Sequence, residues 1–428
     1  MLEAVGMDFH ALPHAVFLHR AADRGSAAAE RAQARLAQGA FLVLRLIDLL
    51  GPDHEPRDPE VFRYQWGATE RFCRDLAAGS TEGSHIHGLA TSAKDAARQG
   101  TLSLLTPGLF AYAYFLEDSL RLEESLDVLS TLQALKAAQA SHADRVALLL
   151  RSARVNRKLN RFDDAEKIYA TAGEAARAAG DRNAELLSQI GAASTLRARG
   201  NLPEAERRLT EILSEARLAG ARDVEARAEH DLAVVLQHRG SPDKALIHAW
   251  RAFELYEEER FRMRALNDVG IMLLTLGDAV GAERALTAVL RRAPLREIML
   301  DATIELMHCA SFQRDRMGFE RHRNRCEELK AGMPPNILAD YWLKAGIGDA
   351  RFGNFRRAGT SLGHALRIAN EVGLHAAAFK IERIRNGLSA CEQAVMDDVN
   401  EPHSELVIDS EDVRTVSASV AELAAESA

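Results

Sequence analysis

Apolar positions recur with helical periodicity along most of the chain, and the apolar segments come in pairs joined by short turns. The second segment of each pair opens on a small residue, and these residues are Ser125, Ala165, Ala205, Ala245, Ala282 and Ala358. Their successive spacings are 40, 40, 40, 37 and 76 residues, and 76 is twice 38. The pattern therefore predicts a repeated pair of helices, with one degenerate copy over Leu300–Leu329 in the wide gap.

A second small residue lies twelve positions before the first in every pair. These earlier residues are Ala113, Ala153, Ala193, Ala233, Gly270 and Gly346. Small residues at both contact points let two helix backbones approach closely where they cross. Most of the turns hold a Gly or Asn, which ends the first helix because the chain must pass through a left-handed conformation there. We expect each pair to form a helix–turn–helix unit that buries its apolar faces against the next unit.

The unit Leu266–Leu286, with the sequence LNDVGIMLLTLGDAVGAERAL, resembles a tetratricopeptide repeat. The last unit keeps a tryptophan of the family consensus at Trp342. The spacing of 37–40 residues exceeds the family standard of about 34, and is similar to the longer repeats of kinesin light chains and of bacterial peptide-responsive regulators. The resemblance covers residues 103–390. It implies an all-α fold, a right-handed α-solenoid of about seven such repeats, that binds a protein or peptide as a scaffold or adaptor.

The flanks of the repeats are less regular. Residues 1–102 are expected to form a helical cap or divergent repeats. The alternative is an output module, which would make the chain a peptide-sensing regulator of transcription or phosphorelay. A DNA-binding helix-turn-helix would need a basic recognition helix after a short glycine turn, and this region has none. Residues 391–428 are acidic and rich in Ser and Ala, so we expect a disordered tail.

Charge and cysteine content narrow the possible partners. The net charge is −8, and the stretch Asp398–Ala428 carries eight acids and one base, which leaves about −1 on the rest. A nearly neutral body gives no electrostatic basis for binding nucleic acid. The four cysteines lie far apart, which argues against disulfides and favours a reducing compartment. No segment is apolar enough for a signal peptide or a membrane span, so we expect a soluble cytoplasmic protein with no membrane partner.

Motifs for catalysis are weak. Gly346, Gly348 and Gly353 faintly resemble a phosphate loop, but they lie within a repeat and follow no strand. No GxxxxGK, HExxH or GxSxG motif occurs. Histidines with metal-like spacing are His10, His14, His19, His85 and His87, and we expect them at the surface because no carboxylate or cysteine set accompanies them. The sequence predicts no catalytic residue, no metal and no cofactor, and hence a protein that is not an enzyme.

The first helices of such repeats line the concave side of the array, where inward positions recur one turn apart. On that template the predicted ligand-binding residues are Phe110, Tyr114, Arg154, Arg157, Arg197, Arg227, His230 and Asn267. Arginines on a rigid surface bind carboxylates in bidentate geometry, so we expect an acidic peptide or a free C-terminus as the ligand. The alternative is that these arginines only pair with neighbouring acids. A further hypothesis is that the acidic tail occupies the groove and competes with the ligand.

Overall fold

The computed structural model describes residues 12–22, 28–51, 59–135, 141–292, 295–330, 333–390 and 410–426. Over these ranges it contains α-helices, one short 3-10 helix at Leu102–Leu105 and no strand. The prediction of an all-α fold is confirmed. In chain order the helices are α1 (Ala15–Ala22), α2 (Ala28–Asp48), α3 (Pro59–Ala77), α4 (Thr81–Gln99), α5 (Thr106–Asp118), α6 (Leu122–Ala134), α7 (His142–Lys158), α8 (Phe162–Ala178), α9 (Arg182–Ala198), α10 (Leu202–Ala219), α11 (Arg222–His238), α12 (Pro242–Leu255), α13 (Glu259–Thr275), α14 (Ala279–Arg292), α15 (Arg296–Phe312), α16 (Arg316–Leu329), α17 (Pro335–Arg351), α18 (Phe355–Glu371), α19 (His375–Ala390) and α20 (Glu411–Glu426).

The chain divides into two compact units, residues 1–185 and 186–428. In the first unit, α1 to α6 share one apolar core, whose largest buried side chains include Phe17 and Tyr112. In the second unit, α9 to α15 share a core with α20, and α17 to α19 form a further cluster. Helix pairs with the predicted turn run from α5–α6 to α17–α18.

The turns inside the pairs share one backbone conformation. The second residue after each first helix has a positive φ, and these residues are Leu120, Asn160, Gly200, Gly240, Gly277, Arg314 and Gly353. The φ of Gly277 is 90°, a value that side chains resist. Arg314, with φ 61°, lies between α15 and α16 in the gap of the sequence register. The unit at this place therefore keeps the turn although its glycine is missing.

The helices of a pair cross at the small residues of the sequence register. A Cβ added to Gly270 would lie 2.8 Å from Cγ of Leu286, and one added to Gly346 would lie 2.8 Å from Cγ of Leu362. In the first pair the hydroxyl of Ser125 donates to the carbonyl oxygen of Ala113 at 2.8 Å. Glycines at these positions thus serve helix packing, which accounts for Gly346 without a phosphate loop.

The first helices of the second unit form its inner layer. Each of α11, α13 and α15 packs against the next first helix in the series, in addition to its own partner. Polar contacts join successive first helices at positions 37–39 residues apart, such as Ser194–Asp231 at 2.6 Å and His230–Asp268 at 2.9 Å. This arrangement places one row of side chains from each first helix on a common face, which we call the inner face.

Helix α1 is pinned to the first unit by charged contacts. Nδ1 of His14, just before α1, lies 2.6 Å from Asp127 of α6, and its Nε2 lies 3.0 Å from Asp48 of α2. Arg20 pairs with Glu82 of α4 at 2.9 Å. His14 is only 6% exposed, so the expectation of a surface histidine is wrong at this position. The burial is stable because both ring nitrogens have a carboxylate partner.

The tail also differs from the expectation of disorder. Residues 411–426 form helix α20, which packs on α12 and α14, the second helices of their pairs. Val413, Val416 and Val420 are buried in the core of the second unit. The expectation of a disordered tail is therefore wrong for 410–426, because these valines lie on one face of an amphipathic helix. This described part of the tail lies on second helices rather than on the first helices of the predicted groove.

Candidate functional site

Three cations meet one buried carboxylate between α5 and α7 of the first unit. Oε1 of Glu117 lies 2.9 Å from Nε of Arg154 and 3.2 Å from Nζ of Lys158, and Oε2 accepts from Arg151. The side chain of Glu117 is 1% exposed, whereas that of Arg154 is 28% exposed. We call these four residues the cationic cluster. Its three cations are more exposed to solvent than its carboxylate.

The cationic cluster contains three positively charged side chains and one negatively charged side chain. Burial alone would raise the pKa of Glu117, but the positive charges of Arg154, Lys158 and Arg151 outweigh it and hold this pKa far below its usual range. Burial lowers the pKa of Arg151, and the charge of Glu117 opposes that effect. Three cations therefore share the one carboxylate of Glu117 within the cationic cluster.

Arg157 lies next to this cluster on α7 and is partly buried. Its Nε is fully buried and has no hydrogen-bond partner, and its side chain makes no ion pair with any residue in the described part of the chain. A buried donor without a partner is costly, which makes this guanidinium a natural place for a ligand acceptor. Nε of Arg197, another predicted site residue, is likewise buried without a hydrogen-bond partner.

The aromatic residues predicted for the site flank the cluster on α5. The guanidinium carbon of Arg151 lies 3.3 Å from the ring centroid of Tyr114, a cation–π contact. The ring of Phe110 is tilted against that of Tyr114, with centroids 6.5 Å apart. Both rings are partly exposed. The first unit thus brings Phe110, Tyr114, Arg154 and Arg157 together on the facing sides of two neighbouring first helices.

The predicted site residues of the second unit are arranged differently. Arg197 of α9 is partly exposed, and so is Arg227 of α11. Nε of Arg227 lies 3.0 Å from Asp223 of the same helix, and its guanidinium carbon lies 4.7 Å from the ring centroid of Phe261. Arg227 is therefore paired with a neighbouring acid, which is the alternative to ligand binding considered above.

His230 and Asn267 are buried, with 7% and 4% exposure. His230 contacts the hydroxyl of Tyr256 at 3.2 Å and Asp268 at 2.9 Å, so it lies between neighbouring helices. The residues that follow them, Asp231 and Asp268, are half-buried and contact Ser194 and His230 of the preceding first helices. The sequence template did not include these two aspartates.

The inner face of the second unit has an acidic character that the sequence template missed. Its partly exposed or buried carboxylates on first helices are Asp231, Asp268, Glu297, Asp301, Glu305 and Asp340. Burial raises the pKa of Asp301, and the neighbouring charge of Glu297 raises it further. Arg264 lies 2.8 Å from Glu297, and Lys344 lies 2.6 Å from Asp340.

The described ranges contain no group of three or more His, Cys, Asp or Glu residues placed to hold a metal ion. His85 packs against the ring of Phe115 with centroids 5.1 Å apart, and His87 lies 3.5 Å from Glu70. None of the helices in this part of the chain combines the length and the hydropathy needed to cross a bilayer.

Comparison with solved structures places this fold among helical arrays. No protein-family model matches the sequence, and no curated protein matches it significantly. The structure is similar to NprR in complex with its cognate peptide NprX, with 13% identity, a TM-score of 0.50, and coverage of 77% of this chain and 98% of that chain. The apo form of the quorum sensor NprR from B. thuringiensis has 13% identity, a TM-score of 0.49, and coverage of 82% and 91%. The Rap conjugation gene regulator of the plasmid pLS20, in complex with the Phr* peptide, has 13% identity, a TM-score of 0.47, and coverage of 78% and 97%. At this identity the likeness concerns the fold alone, and the chain has the fold of a tetratricopeptide-type array of helix pairs.

Proposed function

We propose that this chain is a peptide- or protein-binding scaffold or adaptor, and that its first unit binds an anionic group at the cationic cluster and Arg157. The observation that carries the proposal is the buried Nε of Arg157, which has no hydrogen-bond partner and lies on α7 beside the three cations that share Glu117. An acidic side chain or a C-terminal carboxylate supplies an acceptor for this donor. Phe110 and Tyr114 add an apolar platform for the residue that carries the carboxylate.

The fold supports a binding function rather than a catalytic one. A helical array of the same fold, NprR, is known in complex with the peptide NprX. The strongly perturbed Glu117 is paired with cations of the neighbouring first helix. We therefore assign no catalytic residue, no metal and no cofactor, and we expect neither a nucleic acid nor a membrane as partner.

The test uses the full chain and arrayed random hexapeptides, each presented with a free C-terminal carboxylate and with an amidated C-terminus. We expect a subset of free-acid or acidic peptides to bind the wild type and to lose at least about tenfold in affinity with Arg157→Glu. Arg145→Glu is the matched control, because Arg145 makes the same charge change on α7 at an exposed position. Equal binding by wild type and the Arg157 variant would refute the assignment, and so would equal losses in both variants.

A second candidate function is a peptide-sensing regulator, favoured by the likeness to NprR. In that case peptide binding must change a second surface. Helices α1 to α4 share the core of α5 and α6, so we propose that they form a cap that reports the state of the first unit. Hydrogen exchange of α1 to α4 with and without a bound peptide distinguishes the two functions. A regulator changes exchange there, and a passive scaffold leaves it unchanged.

A further inference from the structure

Helix α15 carries three carboxylates one turn apart on the inner face of the second unit. Glu297, Asp301 and Glu305 have the spacing i, i+4 and i+8. The outer two have cationic partners on neighbouring first helices, since Glu297 lies 2.8 Å from Arg264 of α13 and Glu305 accepts from Lys344 of α17. The half-buried Asp301 between them makes no hydrogen bond or ion pair with any residue in the described ranges. The row therefore contains one carboxylate that this part of the chain does not supply with a partner.

A buried amide of α13 lies next to Asp301 in the register of the two helices. Asn267 is 4% exposed, and its Oδ1 is fully buried without a hydrogen-bond partner. Helices α13 and α15 run in the same direction, because the second helix α14 reverses the chain between them. Arg264 faces Glu297 across these helices, so one turn further on Asn267 faces Asp301. No hydrogen bond within the described ranges holds this amide, so rotation about χ2 turns Oδ1 towards the carboxylate.

The neighbouring ion pair indicates which group suits such a position. Nζ of Lys344 donates to Asp340 of its own helix at 2.6 Å and to Glu305 of α15, so one ammonium is held between two first helices. Burial raises the pKa of Asp301, and the neighbouring charge of Glu297 raises it further. A cation beside Asp301 offsets both effects, because it stabilises the charged form of the carboxylate.

We propose that Asp301 and Asn267 form a second binding site, on the inner face of the second unit, for an ammonium group of a partner, either a lysine side chain or a free N-terminus. An ammonium has three N–H donors and no acceptor, which matches a carboxylate and an amide oxygen on two adjacent helices. A guanidinium forms two parallel hydrogen bonds to a single carboxylate, so it would leave the oxygen of Asn267 without a donor. This ligand is opposite in charge to the one proposed for the cationic cluster, which lies in the other unit.

The experiment uses the full chain and arrayed hexapeptides that lack Asp and Glu and have an amidated C-terminus. Each sequence is made in three forms: acetylated with one lysine, acetylated with norleucine in place of the lysine, and with a free N-terminus and the norleucine. We expect a subset of the two ammonium-bearing forms to bind the wild type at least about tenfold more tightly than the acetylated norleucine form. Comparison of the lysine form with the free N-terminal form distinguishes the two sources of the ammonium.

Variants of the chain test the two residues of the site. Asp301→Asn should reduce this binding at least about tenfold, and so should Asn267→Leu, which removes Oδ1 at a similar volume. Glu211→Gln is the matched control, because it removes one negative charge from α10 of the same unit, where the side chain is 64% exposed, and it should leave the binding unchanged. Asp301→Asn should not lower the midpoint of urea unfolding, because it removes a charge that lies close to that of Glu297.

Binding that depends neither on the ammonium nor on Asp301 would overturn the proposal. A lowered urea midpoint for Asp301→Asn would also overturn it, and so would a lack of binding at millimolar peptide. Because these peptides have no carboxylate, Arg157→Glu should leave their affinity unchanged. The site at Asp301 and the site at the cationic cluster are therefore tested by different peptides and different variants, and the two proposals fail independently.

Discussion

His14 provides a pH-dependent stabilisation of the first unit that a single substitution should remove. Burial alone would lower its pKa, but the hydrogen bonds and negative charges of Asp127 and Asp48 outweigh burial and raise the pKa to about 9. The other charged group at this contact is Arg45, 3.1 Å from Asp48. In an unfolded chain a histidine has a pKa of about 6.5. The folded chain therefore binds more protons than the unfolded chain between about pH 6.5 and pH 9.

The sign and size of the effect follow from this difference. The stabilisation is fully present below about pH 6.5 and is lost as the pH rises through about 9. One pKa unit corresponds to about 1.4 kcal/mol, so the slope approaches about −1.4 kcal/mol per pH unit within this window. Allowing for partial titration at both ends, the free energy of unfolding should fall by about 2 kcal/mol from pH 6.5 to pH 8.5 on account of His14.

The assay is urea unfolding of the first unit, followed by the fluorescence of Trp66. Nε1 of Trp66 donates to the carbonyl oxygen of Ala90 at 2.8 Å, so its environment changes when the unit unfolds. Trp250 and Trp342, the other two tryptophans, are replaced by Phe in all samples. His14→Gln should reduce the loss of stability between pH 6.5 and pH 8.5 by about 2 kcal/mol relative to the parent.

The control for this assay is His142→Gln, which changes an exposed histidine of the same unit. It should retain the pH dependence of the parent, because it has no buried carboxylate partners. If His14→Gln and the parent lose stability equally over this pH range, the contacts with Asp48 and Asp127 do not hold the proton, and the reasoning is refuted. The outcome is also negative if the variant is as stable as the parent at pH 6.5.

Three further predictions concern packing, thiols and the cationic cluster. Gly346→Val should lower the free energy of unfolding by about 1–3 kcal/mol in a urea titration, because the added Cβ would lie 2.8 Å from Leu362. Gly359 has open space around it, so Gly359→Ala should raise the free energy of unfolding by up to about 1 kcal/mol. Burial raises the pKa of Cys73, Cys309 and Cys326 to about 12, so at pH 8 a thiol reagent should modify these residues only after unfolding. Fast modification of any of these three in the folded chain, located by peptide mass mapping, would contradict their burial. Glu117→Gln should cost about 3–5 kcal/mol in the same titration, because it leaves three cations without their carboxylate, and a loss below about 1 kcal/mol would show that solvent already screens the cluster.

The fold could be read from the sequence because its signals are local. Helix crossings depend on small residues twelve positions apart, and Gly270 and Gly346 lie against their partner helices as that offset predicts. The turns depend on a left-handed residue at one position. Arg314 holds that conformation without being glycine, because the helices on both sides fix the path of the chain. The degenerate unit keeps its turn without a glycine, so the repeat spacing alone was enough to predict it.

The site was harder to predict because it depends on rotation about each helix axis. In the first unit Tyr114 contacts Arg151, and Arg154 pairs with Glu117. In α11 and α13 the predicted residues His230 and Asn267 are buried, whereas the next residues, Asp231 and Asp268, are half-buried. Consecutive residues differ by about 100° in direction around the helix axis. The repeat spacing changes from 40 to 37 residues along the chain, which changes the direction of equivalent residues around the helix axis. Only contacts between helices determine that direction.

The C-terminal segment illustrates how two sequence signals compete. Its acidic charge indicated a solvated tail that could enter a basic groove. The apolar spacing of Val413, Val416 and Val420 is a weaker signal over a shorter stretch, yet it is the one that determines where α20 lies. Burial of three valines favours a docked helix, whereas exposed acids on the opposite face cost nothing when they stay in water. The acidic charge therefore belongs to the side of α20 that faces solvent, whereas the spacing of its valines identifies the side that packs on the core of the second unit.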